Sequence, residues 1–337
     1  MSIPYPNGNH ALIADLIAGI QKGRTVHAYL FAGPAGLLKR ETARYFAAAM
    51  LCEGEGTPPC GRCDNCVQSA GANNPDIISK SLKDLTDKQS IGVDEIRDIF
   101  EDAFIRPFKA NKKIYIIEDG EMLTVSAQNA LLKVLEEPPA YVVFIVCTSE
   151  ADKILPTIRS RSSIIRFQPK SDNEIRLYVK ENYPHLQSQT DFIVAFCGGI
   201  TGKVDLLCQS EEFAEMRQKM YNATAILLRG GKPTRLFEIA EYMEAHKKEK
   251  GSTTDNLGIL LDCLLSFFSD LLKLKAGTNR GITNTDYAEK LSELCGYVDK
   301  QKLVHACEAV VSAQERLALA ISARSTILSL LLSIYYK

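Results

Sequence analysis

The chain has 337 residues, 46% of them apolar and 24% charged, with 40 basic against 41 acidic side chains and a net charge of −1. That length predicts two to three domains, and the balance is that of a globular protein with a sizeable core. A near-neutral chain carries no global basic field for nucleic acid, so any such contact must come from a local patch.

The first residues, MSIPYPNGNHALIADLI, lack a charged segment followed by a long apolar run, so no secretory signal is expected. Of the longest apolar stretches, LGILLDCLLSFFSDLL (257–272) is interrupted by Asp262 and Asp270. The other, ILSLLLSIYY (327–336), is too short to span a bilayer, and both read as core helices with no membrane role. Ten cysteines without a secretion signal predict free or metal-bound thiols and a cytoplasmic location.

In chain order, short β-branched or aromatic runs predict strands at AYLFA (28–32), DIIS (76–79), IYII (114–117), YVVFIV (141–146) and SIIRF (163–167). Helical patterns fall between them at 39–51, 93–105 and 125–136. In the last, Ala127, Ala130, Leu131, Val134 and Leu135 form one apolar stripe, and Pro138-Pro139 ends it. Such alternation predicts a parallel sheet with helices on both faces.

Beyond Pro169 the strand signal stops. Ser171-x-x-Glu174 predicts a capping box, Gly198-Gly199 a helix end, and Gly202 precedes a third helix, giving a three-helix unit at 169–210. Residues 211–337 read as long amphipathic helices broken by loops such as HKKEKGSTTD (246–255) and AGTNRG (276–281). The expected architecture is an α/β domain (1–168), a small helical module and an all-α domain.

Two stretches carry chemistry. FAGPAGLLKR (31–40) follows a strand and opens a helix, as a phosphate-binding loop G-x-x-x-x-G-K-[ST] does. Gly33 fills the first slot and Lys39 the lysine slot, with Gly36 between them. Leu38 replaces the last glycine and Arg40 the hydroxyl residue that would hold Mg²⁺. Lys39 itself reads as a solvent-facing lysine at a helix start. CEGEGTPPCGRCDNC (52–66) places Cys52, Cys60, Cys63 and Cys66 at C-x7-C-x2-C-x2-C. Thiolates this close, with Gly and Pro between them, can wrap a tetrahedral Zn²⁺. A closed four-sulfur site is structural, having no open coordination position. Disulfides are the competing reading, disfavoured by the compartment. The other six cysteines lie singly in apolar patterns and read as small buried hydrophobes.

HAYLFAGPAGLLK (27–39), the cysteine insert, GVDEIRDIF (92–100), ALLKVLEEPP (130–139) and PTIRSRS (156–162) occur in one order. This combination resembles the bacterial clamp-loader branch of the AAA+ ATPases, which places sliding clamps on DNA for DNA polymerase III. The resemblance covers the first ~210 residues. It implies a RecA-like parallel-sheet domain, a three-helix lid and a C-terminal helical collar that oligomerises. Motor subunits of that family have an intact loop and a D-E-x-x acidic motif. Here the corresponding slot is IIEDGE (116–121), with Glu118 and Asp119 exchanged in order. The resemblance therefore implies a chain with eroded nucleotide motifs and no ATP in its own site. What remains is Ser160-Arg161-Ser162, matching an S-R-C motif whose arginine reaches ATP on a neighbouring subunit. Arg159 is a possible stand-in.

Implied partners are gamma/tau motor subunits, the delta subunit, and, through the assembly, the sliding clamp and primer-template DNA. Arg97 matches a position whose helix faces the DNA backbone, and Lys109, Lys112 and Lys113 form a basic cluster. Thr148 falls at the sensor-1 region. Gly202-Lys203 falls near sensor 2, where the family's arginine is not plainly kept. Three other readings compete: an ATP-hydrolysing gamma/tau-like motor, a free-standing zinc-ribbon nucleic-acid module, and a two-metal nuclease using Glu118, Asp119 and Glu121.

Overall fold

The computed structural model describes residues 3–6, 8–82, 90–209, 212–230, 232–246, 256–278, 280–318 and 322–336. Most of the expected loop at 246–255 lies outside them. The chain divides into two compact units, one of residues 1–170 with 200–202, the other of residues 171–199 and 203–337.

The first unit runs α1 (His10–Gln21), β1 (Ala28–Ala32), α2 (Lys39–Met50), α3 (Asp64–Ala70), β2 (Ile77–Lys80), α4 (Val93–Ala103), β3 (Lys113–Ile117), α5 (Val125–Glu136), β4 (Val142–Thr148), α6 (Pro156–Ser160) and β5 (Ser163–Arg166). Its five strands pair in the order β2-β3-β4-β1-β5, every pairing parallel. β1, β3 and β4 are buried along their whole length, which is why their sequences are unbroken apolar runs rather than alternating ones.

Period-two geometry sorts these side chains onto two faces. Leu30, Tyr115, Ile117, Phe144 and Val146 pack under α4 and α5, against Ile96, Ile99, Leu131 and Val134. Tyr29, Phe31, Ile114, Ile116, Val143 and Ile145 pack against Leu16 of α1 and Ala43, Phe46 and Ala47 of α2. Thr124 caps α5, its hydroxyl accepting from Ala127 N. The carboxyl ends of β1, β3 and β4 thus present the 33–40 loop, the 118–121 acids and Thr148 together at one edge of the sheet, where ligands of such folds bind.

The second unit is helical: α7 (Asp172–Asn182), α8 (Thr190–Cys197), α9 (Thr201–Gln209), α10 (Phe213–Arg229), α11 (Thr234–Ala245), α12 (Asn256–Lys275), α13 (Ala288–Cys295), α14 (Lys300–Ala318) and α15 (Ala323–Tyr335). The Ser171–Glu174 capping box is formed, and Gly198 closes α8 in the left-handed region at φ 55°. One apolar core runs through this unit, from Ile175 of α7 to Ile334 of α15.

Two buried charges hold it in register. Arg217 of α10 makes paired contacts of 2.6 and 2.8 Å with Asp286, bonds Asn284, and lies over the Phe192 ring at 3.7 Å. Asp270, wholly buried, accepts from the backbone N–H of Thr283 and Asn284. Among the described residues no helix is long and apolar enough to cross a membrane.

Candidate functional site

The loop after β1 has the bend of a phosphate loop but fills it with protein contacts. Gly33, at φ 154°, lies where a Cβ would come 2.2 Å from the Phe167 carbonyl oxygen. Gly36 (φ 80°) leaves room for Ile200, and its carbonyl accepts from Gly202 N at 2.9 Å. Leu38 adopts φ 58°, ψ 34°, the left-handed conformation that the missing glycine would take freely. For leucine this costs roughly 1–2 kcal/mol. Asn9 holds the bend, donating to the Leu37 carbonyl at 2.9 Å.

Lys39 does not face solvent as its sequence context suggests. Its ammonium turns back and donates to the carbonyls of Gly33 (2.6 Å) and Pro34 (2.7 Å). Burial lowers its pKa, with Glu121 and Glu41 acting in the other direction.

The acids opposite are all engaged. Glu118, its side chain 4% exposed, is gripped by Arg40 Nη1 at 3.3 Å and Arg44 Nη2 at 2.8 Å. Burial pushes its carboxyl above the usual range, and the two guanidinium groups pull it back. Asp119 accepts from Ser81 Oγ (2.7 Å) and Leu82 N (2.8 Å). Glu121 accepts from the backbone and hydroxyl of Ser149. Thr148, fully buried, accepts from Glu150 N and so caps its strand. Arg40 thus links the start of α2 to the acid after β3.

Arg161 caps the C-terminus of α6. Its Nη2 pairs with Glu136 at 3.0 Å and its Nη1 reaches the Thr157 carbonyl at 3.3 Å, with the side chain 39% exposed. Arg159 pairs instead with Asp152 at 3.2 Å. Arg97, exposed on α4, pairs with Asp94 one turn earlier. The three lysines do not form a common basic patch. Lys109 pairs with Asp64, Lys112 donates to Thr25 Oγ1, and Lys113 begins β3 with its ammonium buried. There Lys113 meets the Asp102 carboxylate at 2.8 Å, the Asp102 carbonyl in the last turn of α4, and the Ile105 carbonyl just beyond it. Lys203 in the second unit pairs with Asp262.

The four cysteines converge. All four sulfurs lie within 4.8 Å of one another, and Cys60 and Cys66 Sγ are 3.9 Å apart. Tetrahedral Zn²⁺ with bonds of ~2.3 Å needs sulfur separations of about 3.8 Å, so the set fits that ion. Backbone N–H groups of Arg62 and Cys63 draw the Cys60 thiol down to about 6. For Cys63, burial is outweighed by the N–H groups of Cys66 and Glu53, and its pKa falls. Burial pushes Cys52 and Cys66 up. A Cβ on Gly54 would meet Cys60 Sγ at 2.3 Å, so the glycine leaves space for the cluster. Cys52, Cys60, Cys63 and Cys66 would hold the metal, which would cross-link the turn between α2 and α3.

Three contacts were not readable in the sequence. The Arg40–Glu118–Arg44 triad joins positions over seventy residues apart, and nothing local announces it. Buried Gln128 of α5 donates to the Lys153 carbonyl and accepts from Leu155 N, fixing the approach to α6. Asp76 accepts from three successive backbone groups, Phe108, Lys109 and Ala110. An Asp before a strand, facing a Pro-containing turn, was the available hint.

Comparison with known proteins bears on the family and the fold. Residues 8–171 match the family "DNA polymerase III, delta subunit", and residues 212–323 match "DNA polymerase III, delta subunit, C terminal". The delta' subunit of Bacillus subtilis DNA polymerase III is 29% identical over 304 residues, 90% of this chain and 88% of that one. The gamma/tau subunit of Mycobacterium tuberculosis is 39% identical over 156 residues, 46% of this chain, but the match spans only 26% of that relative. A gamma subunit-related protein of Thermotoga maritima shares the fold, with a TM-score of 0.51 at 19% identity, covering 96% of this chain and 98% of that one. With family matches in tandem along most of its length and a relative of the same kind nearly end to end, the chain belongs to the clamp-loader subunits of bacterial DNA polymerase III.

Proposed function

We propose that the chain is a non-hydrolysing stator of the replicative clamp loader, which helps to place the sliding clamp on primed DNA and lends Arg161 to ATP on a neighbouring motor subunit. The observation that carries this reading is the Arg40–Glu118 ion pair, with Arg44 as second partner. A guanidinium fixed on the acid that should serve Mg²⁺ leaves no ligand set for the metal, and catalysis of phosphoryl transfer depends on that metal. A partly exposed surface arginine needs no nucleotide of its own to act on another's. In the same reading Zn²⁺ braces residues 52–66. The helices within 171–209 act as a lid, and those from 212 onward form the collar that meets gamma/tau and delta subunits. Arg97 meets the phosphate backbone of primer-template DNA only within the assembly.

Titration of the purified chain with Mg–ATP tests the first half: no saturable binding in the micromolar range and no turnover are expected. Arg161→Ala, alone and with Arg159→Ala, tests the second. The variant chain should fold and assemble, and should depress DNA-stimulated ATPase of the reconstituted loader. Unchanged ATPase in the double variant would overturn the finger. The 39% identity to a gamma/tau subunit favours a second reading, an ATP-hydrolysing motor, which predicts turnover by the isolated chain.

A further inference from the structure

We infer that Glu136 is the positioning residue of Arg161, holding one terminal nitrogen of its guanidinium so that its remaining N–H donors keep a fixed direction; this rests on the finger reading proposed above. Glu136 is the last residue of α5, and its carboxylate meets Arg161 Nη2 at 3.0 Å. The Thr157 carbonyl takes Nη1. An arginine has five N–H donors in a rigid fork. Contacts at both terminal nitrogens therefore fix its plane and leave Nε–H and one N–H on each terminal nitrogen for phosphate oxygens.

The brace is itself anchored. α5 is tied to the segment before α6 by Gln128, which bonds both the Lys153 carbonyl and Leu155 N. α6 is rooted in turn by Ile158, 1% exposed. Arg159 has no such support, because its partner Asp152 lies wholly in solvent on a short turn. The two arginines of the motif are thereby distinguished: one is held on a helix end, the other on a free side chain. An ion pair this exposed contributes little to folding, so its removal should alter geometry rather than stability.

The test uses the loader reconstituted with its gamma/tau and delta partners, the clamp and primed DNA, reading kcat and the KM for ATP. Arg161→Ala should abolish most of the turnover that depends on this chain. Glu136→Ala should lower that turnover about fivefold at unchanged KM, the loss expected when a reacting group keeps its charge but not its orientation. Glu136→Gln, whose amide oxygen still accepts, should stay within about twofold of the parent. Glu136→Lys should lose more than Glu136→Ala, and Asp152→Ala should change nothing. Melting curves and gel filtration of each chain verify folding and assembly. If Arg161→Ala combined with Arg159→Ala has no effect, the finger reading itself fails; if only that combination acts, Arg159 replaces Arg161 and the positioning role is wrong. If Arg161→Ala acts while Glu136→Ala matches the parent, or if Glu136→Gln falls as far as Glu136→Ala, the positioning role is wrong.

Discussion

Arg40 at the start of α2 and Glu118 after β3 meet at 3.3 Å at one edge of the sheet. The pair has a direct consequence for engineering the loop. Arg40→Ser removes the obstructing guanidinium and leaves Arg44 on the buried carboxylate. The expected stability cost is about 1–2 kcal/mol, well below that of stripping a buried charge of every partner. Adding Leu38→Gly removes the left-handed strain, and the greater freedom of an unfolded glycine offsets most of that gain. Calorimetric titration should find Mg-dependent ATP binding in the double variant and none in the parent. Binding of equal strength in the parent would show that Arg40 is no obstacle.

Gly33→Ala addresses the architecture instead of the chemistry. A methyl group there collides with the backbone of Phe167 at 2.2 Å, and backbone cannot yield as a side-chain tip can. We expect a loss of more than 2 kcal/mol in urea unfolding, from strain and displacement of the chain after β5. A neutral result would mean that the loop and residue 167 are not held together as described.

For the cysteines, elemental analysis should find one zinc ion per chain. Chelation should increase exchange of backbone amides at 52–66 while leaving the strands protected, because the sheet packs without help from the insert. Cys66→Ser should abolish retention of zinc through dialysis. A full-strength sheet signal lost on chelation would contradict this division of labour.

Acid titration should single out Asp102. Burial raises its pKa, but Lys113 and the Tyr115 hydroxyl outweigh that and hold it below the usual aspartate range. A carboxyl with a depressed folded-state pKa stabilises the fold above its unfolded value and loses that contribution as pH falls through the depressed one. Asp102→Asn should therefore cost stability at pH 7, by ~1 kcal/mol given that the carboxylate is partly solvated. The difference from the parent should shrink below about pH 4. A difference independent of pH would assign the effect to packing.

How far these features can be read in advance depends on the range over which they are encoded. The five strands and the helices at 39–50, 93–103 and 125–136 follow from apolar runs and periodicity, and their observed limits differ from expectation by only one or two residues, whereas α1, α3 and α6 were not foreseen. β4 continues to Thr148 because buried Cys147 and Thr148 still pair with β1. The cysteine cluster was legible because its four ligands lie within fifteen residues. What could not be read is contact across long separations: Arg40 with Glu118, Arg161 with Glu136, Lys113 with the end of α4. Each involves a charged side chain whose solvent-facing rotamer is equally compatible with the local pattern. Only the packed sheet and helices decide the matter. The sequence also suggested Lys39 in solvent, because nothing local reveals that the loop turns its own carbonyls toward it.

Gly33 and Gly36 have duties that no nucleotide imposes, since one clears the backbone of Phe167 and the other admits Ile200 and Gly202. A glycine at position 38 would ease the left-handed bend at some entropic cost in the unfolded chain, and a hydroxyl at position 40 would add nothing to these backbone contacts. The bend of this loop is therefore specified by its contacts with residues 167, 200 and 202, whatever else the loop does. Gly33 and Gly36 mark the positions that the scaffold itself needs.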